Sequence, residues 1–89
     1  MGLNMTQVLQ AIKEAKHKII GLKQTLRAIQ QDKIDSVYIA NDIEDHILRQ
    51  ITEMCRQNSI PLVPVNINRK ELGKLCRIEV GATVVSLMR

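Results

Sequence analysis

The residues best suited to chemistry follow a single glycine. A β-branched run that ends at Ile20 suggests a short strand, and Gly21 then marks a tight turn at which a helix begins at once. The first N–H groups of a helix lack intrahelical partners and the helix dipole is positive there, so such a turn is a natural site for an anion. Three polar side chains, called here the polar trio, occupy the opening turns: Lys23, Gln24 and Arg27.

The helical period separates the polar trio from the apolar side chains. At about 100° per residue, Leu22, Leu26 and Ile29 fall together on a side that we expect to be buried, and the trio falls on the opposite side. Lysine can donate to the O6 and N7 acceptors of guanine, and glutamine can both donate and accept at a base edge. On the pattern alone, however, an ordinary solvated helix face is the better explanation.

The amino-acid composition limits which kinds of partner the chain is expected to bind. The chain has 89 residues, 45% of them hydrophobic, which predicts one packed domain, 1–89, and excludes a disordered tail. The 13 Lys and Arg residues outnumber 9 Asp and Glu, and the net charge of +4 favours a polyanion, though only as a steering term. With no Phe or Trp and Tyr38 as the single aromatic residue, the chain cannot stack bases, so any nucleic acid must be bound through base edges, phosphates and shape.

Other chemistry finds no support in the sequence. Cys55 and Cys76 have no second Cys or His beside them, which argues against a zinc site and favours buried reduced thiols. His17 and His46 lie in no metal or triad motif, and no nucleophile is paired with a base. We therefore predict no enzyme, no metal and no cofactor.

Hydrophobic spacing predicts helices over 5–15, 22–31, 43–58 and 68–75, and strands within 16–20, 36–40, 61–65 and 82–88. Asn41-Asp42 signals a turn, and Asp42, Glu44 and Asp45 are expected to cap the helix that follows. Asn68 followed by Glu71 predicts a cap pair for the last helix. The prolines of the 61–65 segment restrict it to a strand start or an exposed edge. The alternation implies an α/β fold with a mixed sheet of about four strands, covered by helices on both faces.

Location signals are weak. No apolar run approaches the roughly 20 residues that a membrane span needs, so no membrane partner is expected. Gly2 and Thr6 fit a permissive myristoylation pattern, for which coincidence is the better explanation. We expect a cytoplasmic monomer.

Three blocks of the sequence resemble one known family. Residues 21–27 (GLKQTLR) resemble the signature of the kink-turn RNA-binding ribosomal-protein family, the L-seven-Ae and L-thirty-e type. Two more blocks agree in order and spacing: 60–63 (IPLV) leading to 70–76 (KELGKLC), and 78–82 (IEVGA). The similarity extends from about residue 15 to residue 87 and is nearest to small bacterial members of about this length.

The resemblance implies a three-layer α-β-α sandwich that binds structured RNA of the kink-turn type without catalysis. Gly21 would begin the RNA-contacting helix, Lys23 and Gln24 would read the guanine edges of tandem sheared G·A pairs, and Arg27 would be the basic residue one turn on. Archaeal members have Asn-Glu where this chain has Lys23-Gln24, whereas Lys-Gln occurs in ribosomal and bacterial branches. The detailed hydrogen bonding is therefore expected to differ from the archaeal pattern.

The same resemblance implies further contacts. The loop residues Ile78, Glu79 and Val80 would pack against the other side of the kink. The positions that shelter a flipped-out nucleotide in some members correspond to Glu44, Leu48 and Arg69. The natural target stays open between rRNA, a riboswitch and another transcript. Two alternatives also stay open: a ribosome-associated structural protein that binds rRNA backbone or proteins without kink-turn selectivity, and a protein-interaction adaptor on a retained fold.

Overall fold

Helices and strands alternate along residues 4–89, which are the residues that the computed structural model describes. The Gly2 pattern lies outside the described residues. In chain order the elements are α1 (Met5–Glu14), β1 (Lys18–Ile20), α2 (Leu22–Gln30), β2 (Ile34–Ile39), α3 (Asp45–Gln57), β3 (Leu62–Pro64), α4 (Arg69–Leu75) and β4 (Val84–Met88). No helix within the described range is long and apolar enough to cross a membrane.

Capping boxes start the first and last helices. Asn4 Oδ1 accepts from the Gln7 backbone N–H at 2.8 Å, and the Gln7 side chain accepts from the Asn4 N–H at 3.3 Å. Asn68 and Glu71 form the same reciprocal pair at 2.8 and 3.1 Å, as the sequence predicts. Each box satisfies two N–H groups that a helix start would otherwise leave free.

The four strands form one mixed sheet in the order β1-β4-β2-β3. Strand β4 is antiparallel to both β1 and β2, while β2 and β3 are parallel, with Val37 opposite Leu62. Strand β3 is an edge strand, so Pro64 withholds no hydrogen bond from a central ladder, which confirms the expectation drawn from the prolines.

Two hydrophobic clusters cover the two faces of this sheet and confirm the α-β-α sandwich. Helices α2 and α3 cover one face through a cluster that includes Ile29 and Ile51. Helices α1 and α4 cover the other through Ile12 and Leu72. The two buried cysteines belong to different clusters, Cys55 to the first and Cys76 to the second, so the sheet separates them. Burial raises the pKa of both thiols.

Several predicted boundaries were wrong by about two residues. Strand β2 begins at Ile34 and not at 36, because buried Ile34 pairs with Met88 across a register shift that leaves charged Asp35 exposed. Strand β4 begins at Val84 and not at 82. Helix α3 begins at Asp45 and not at 43, since Glu44 is extended (φ −71°, ψ 146°) and is the N-cap residue.

The predicted buried stripe of α2 was also wrong by part of a turn. Thr25, Ala28 and Ile29 are the buried residues, whereas Leu22 and Leu26 are half-buried against the same cluster. The cause is a buried polar contact between Thr25 Oγ1 and Ser86 Oγ at 3.0 Å, which a hydrophobic pattern cannot show.

The strand directions bring three helix starts to one edge of the sheet. Because β4 is antiparallel to β1 and β2, and β3 is parallel to β2, the carboxyl ends of β1, β2 and β3 lie together with the beginning of β4. Each of α2, α3 and α4 follows one of those strands, so all three begin there. We call this the site edge.

Candidate nucleic-acid interface

Backbone hydrogen bonds tie the loops of the site edge to one another. The four bonds run from the N–H of Gly21 to Val84 O (2.9 Å), of Ala40 to Thr83 O (3.0 Å), of Asn41 to Ile67 O (2.9 Å) and of Ala82 to Arg69 O (2.9 Å). The starts of α2 and α4 and the loop before β4 are therefore parts of one bonded frame, which places most of the predicted site residues on the same end of the molecule.

Gly21 begins α2 in a conformation that other residues rarely adopt. Its φ is 114° and its ψ is 153°. A Cβ at this position would also come 2.5 Å from Gln24 Oε1, so the Gln24 carboxamide lies directly over the glycine. The absence of a side chain at residue 21 thus sets both the entry of the chain into α2 and the position of one member of the polar trio.

The first turn of α2 is electrostatically open. Within residues 4–89, no side chain caps it and its first turn contains no acidic residue. Lys23, Gln24 and Arg27 are all exposed, and none of their three side chains makes a hydrogen bond or ion pair within the described chain. The positive end of the helix dipole and two cationic side chains therefore face solvent together.

A buried anchor fixes the rotation of α2. Besides the Thr25–Ser86 contact, Ser86 Oγ lies 3.4 Å from Ile19 O, so a β4 hydroxyl links the helix to β1. Thr25 and Ser86 are both fully buried. Because Thr25 points into the sheet, Lys23, Gln24 and Arg27 are directed away from it.

The segment 77–81, called here the 77–81 loop, displays an apolar side chain beside α4. The Ile78 N–H donates to Gly73 O at 3.0 Å, and a Cβ on buried Gly73 would overlap the Val80 carbonyl oxygen. Ile78 is half-buried against the α1/α4 cluster, Glu79 is exposed, and Val80 is 72% exposed. Val80 is the exposed large hydrophobic side chain of residues 4–89.

The start of α3 supplies an acidic and an apolar side chain. Glu44 is exposed and pairs with His46 Nδ1 at 3.4 Å. Leu48, one turn further, is half-buried against the α2/α3 cluster and leaves part of its surface free.

Asp42 does not cap α3, contrary to the prediction, but binds the start of α4. Its Oδ1 accepts from the Arg69 backbone N–H at 2.8 Å, and its Oδ2 accepts from Arg69 Nε at 3.3 Å. Partial desolvation alone would raise the pKa of the Asp42 carboxyl, but these hydrogen bonds from Arg69 outweigh it and hold the pKa below its ordinary value. Since the two residues are 27 positions apart, no local sequence signal indicates the contact.

Comparison with known proteins identifies the family. The model of the Ribosomal protein L7Ae/L30e/S12e/Gadd45 family matches residues 4–89. The chain belongs to this family. The L7Ae-family relatives with similar sequences include the RNA-binding protein YbxF of Geobacillus stearothermophilus, 34% identical over 87 residues that cover 98% of this chain and 100% of YbxF. An RNA-binding protein of Caldanaerobacter subterraneus is 41% identical over 69 residues, which cover 78% of this chain and 83% of that protein.

Solved structures show the same L7Ae-type fold. The 15.5kD RNA binding protein of Giardia lamblia superposes with a TM-score of 0.85 at 20% identity, covering 100% of this chain and 78% of that one. A Bacillus halodurans protein of unknown function superposes with a TM-score of 0.81 at 20% identity, covering 99% and 87%. At this identity the likeness establishes the three-layer architecture.

Proposed function

We propose that this L7Ae-family protein is a non-catalytic RNA-binding protein that recognises and stabilises kink-turn-like bent RNA through the start of α2. The observation that supports the proposal most strongly is the open first turn of α2, where the Lys23 and Gln24 side chains are exposed, with the exposed Arg27 side chain one turn further along the helix. Several relatives that this chain matches over their full length are named RNA-binding proteins, which also supports the proposal.

The types of side chain suit base edges. The Lys23 ammonium donates to the O6 and N7 of a guanine, and the Gln24 carboxamide offers both a donor and an acceptor to an adjacent edge. Gln24 Oε1 packs over Gly21, which limits the freedom of the carboxamide before RNA arrives. Less side-chain entropy is then lost on binding. Tandem sheared G·A pairs present two such edges to one helix start.

The positive charge at the start of α2 suits a sharply bent RNA. A sharp kink brings phosphates close together, and the RNA resists that approach until positive charge is supplied. Arg27, one turn behind Lys23, adds a cation that reaches a flanking phosphate, and the helix dipole adds to it. A protein that binds only the bent form shifts the RNA population toward it.

The opposite part of the site edge suits an extruded nucleotide. Val80 is largely exposed and offers a surface for a base or ribose. Leu48 contributes part of its surface, Glu44 offers acceptors, and Arg69 is a cation held at the start of α4. These residues lie across the site edge from Lys23 and Gln24, so one RNA bend could contact both groups.

The test is a titration of two labelled RNAs, a kink-turn and the same RNA with its G·A pairs replaced by Watson–Crick pairs. We expect the protein to prefer the first by at least about tenfold, since each base-edge contact is worth roughly 1–3 kcal/mol. Equal affinities with a steep salt dependence would instead support a ribosome-associated protein that binds RNA backbone. No binding to either RNA would support the adaptor function.

A further inference from the structure

We propose that Asp42 is a positioning residue for RNA recognition, which holds the Arg69 guanidinium ready for the nucleotide extruded from the bend. The inference rests on the proposed function. It assigns a role to a carboxylate that lies outside the residues carried over from the family resemblance.

One carboxylate makes two different bonds to the same residue. Asp42 Oδ1 accepts from the backbone N–H of Arg69, and Oδ2 accepts from its Nε, so the backbone and the side chain are fixed together. Both side chains are partly exposed, 42% for Asp42 and 47% for Arg69. The pair is therefore neither a core element nor a fully solvated contact, and it stands at the surface where a ligand would meet it.

The Nε contact decides which part of Arg69 stays available. Nε of Arg69 is bound to Asp42, and the two terminal Nη groups make no hydrogen bond within residues 4–89. Those groups carry four N–H donors in one plane, a geometry that suits the acceptors of an extruded base. A free arginine side chain would have to lose most of its rotamer entropy on binding, and the carboxylate removes part of that cost beforehand.

The same bond sets the neighbouring loop. Arg69 O accepts from the Ala82 N–H at 2.9 Å, and a Cβ on Gly81 would come 3.3 Å from Arg69 Cβ. The backbone at Gly81 and Ala82, next to Val80, therefore packs directly against the residue that Asp42 fixes. Asp42, in the turn after β2, therefore sets the position of the Arg69 guanidinium relative to the exposed Val80 side chain.

The pair contrasts with another ion pair of the same protein. Arg56 and Glu53 on α3 form an exposed carboxylate–guanidinium contact within one helix, remote from the site edge. It has the same chemistry but no link to a second element or to a loop of the site. Glu53→Gln is therefore a matched control for Asp42→Asn, since both remove one negative charge from a carboxylate–arginine pair.

The experiment measures the affinity of five proteins for two RNAs. The proteins are the wild type, Asp42→Asn, Arg69→Ala and the double variant, with Glu53→Gln as control. The RNAs are an intact kink-turn and one with an abasic site at the extruded nucleotide. Asn at residue 42 keeps an acceptor for the Arg69 N–H and loses the charge that holds Nε.

We expect Asp42→Asn to weaken binding of the intact RNA about three- to fivefold, the range of an exposed ion pair. It should have no effect on the abasic RNA and none in the Arg69→Ala background, and Glu53→Gln should bind both RNAs like the wild type. An equal loss for both RNAs would show a general structural role and overturn the inference. Unchanged affinity for the intact RNA would also overturn it, even if Lys23→Ala binds weakly and the proposed function stands. If the wild type shows no kink-turn preference at all, the proposed function fails and the inference fails with it.

Discussion

Helices α2 and α4 both begin at the site edge, on opposite faces of the sheet, and their first turns differ in how their backbone N–H groups are satisfied. In α4, side chains accept from three backbone N–H groups: Asn68 from Glu71, Glu71 from Asn68, and Asp42 from Arg69. In α2, no side chain within residues 4–89 does so, and two of the first-turn residues are Lys23 and Gln24. The start of α4 is closed by side chains of the protein itself, and the start of α2 is open.

The difference shows that the two helices are stabilised at different places. Uncapped N–H groups cost helix stability, typically about 1 kcal/mol for each missing cap. The chain offsets this at α2 with a buried anchor, the Thr25–Ser86 contact, which α4 does not have. Helix α2, whose start is open, is thus held by its buried side, whereas helix α4 is held by its capped start.

The largest effect should follow from replacing both reading side chains. We expect Lys23→Ala and Gln24→Ala each to weaken kink-turn binding by about 1–3 kcal/mol, and the double variant to lose more than either. Filter binding or fluorescence anisotropy measures this. Lys13→Ala, which removes an equal charge from the last turn of α1, is the control and should retain selectivity for the G·A pairs.

Gly21→Ala should lower both the stability of the protein and its affinity for RNA. At φ 114° a side chain is strained, and its Cβ would displace Gln24. Strain of this kind costs about 1–3 kcal/mol. We expect a lower midpoint in urea unfolding together with weaker RNA binding. A variant as stable as the wild type, with Gln24 still reading RNA, would contradict this account of the start of α2.

Asn68→Ala should distinguish the role of α4 from that of α2. It removes the cap of α4 and should lower the free energy of unfolding by about 0.5–2 kcal/mol. Because Asp42 still binds the Arg69 N–H, the preference for kink-turn over G·A-disrupted RNA should persist. Loss of that preference would mean that the cap of α4 is part of the reading surface, and the contrast between the two helices would fail.

The smallest effect concerns acidity. The pKa of Asp42 in the folded protein lies below its ordinary value of 3.8, so its stabilising contribution is present above that pH and is lost as the pH falls through the lowered pKa. Wild type and Asp42→Asn should therefore differ in urea midpoint at pH 6, and the difference should begin to shrink near pH 3.8 and disappear as the pH falls through the lowered pKa. A difference that stays constant across this range would exclude the charge of Asp42 as its cause.

The sequence could predict the elements and the exposed polar side of α2, but not the contacts between distant segments. Hydrophobic period, the two prolines and the Asn68–Glu71 pair are local signals, and they correctly predicted a four-stranded mixed sheet with helices on both faces. Thr25 was missed because its burial depends on Ser86, 61 residues away. Asp42 was assigned to the wrong helix because its partner, Arg69, is brought close only by the parallel pairing of β2 and β3.

The most direct test of the central claim is an NMR titration of the protein with kink-turn RNA. We predict that the backbone amides of residues 22–24 and the side-chain amide of Gln24 shift strongly, and that they do not shift with the G·A-disrupted RNA. The amides around Lys13 and Lys18, at the opposite edge of the sheet, should stay in place. If those signals move while the first turn of α2 is unchanged, the RNA binds elsewhere and the open helix start is not its reader.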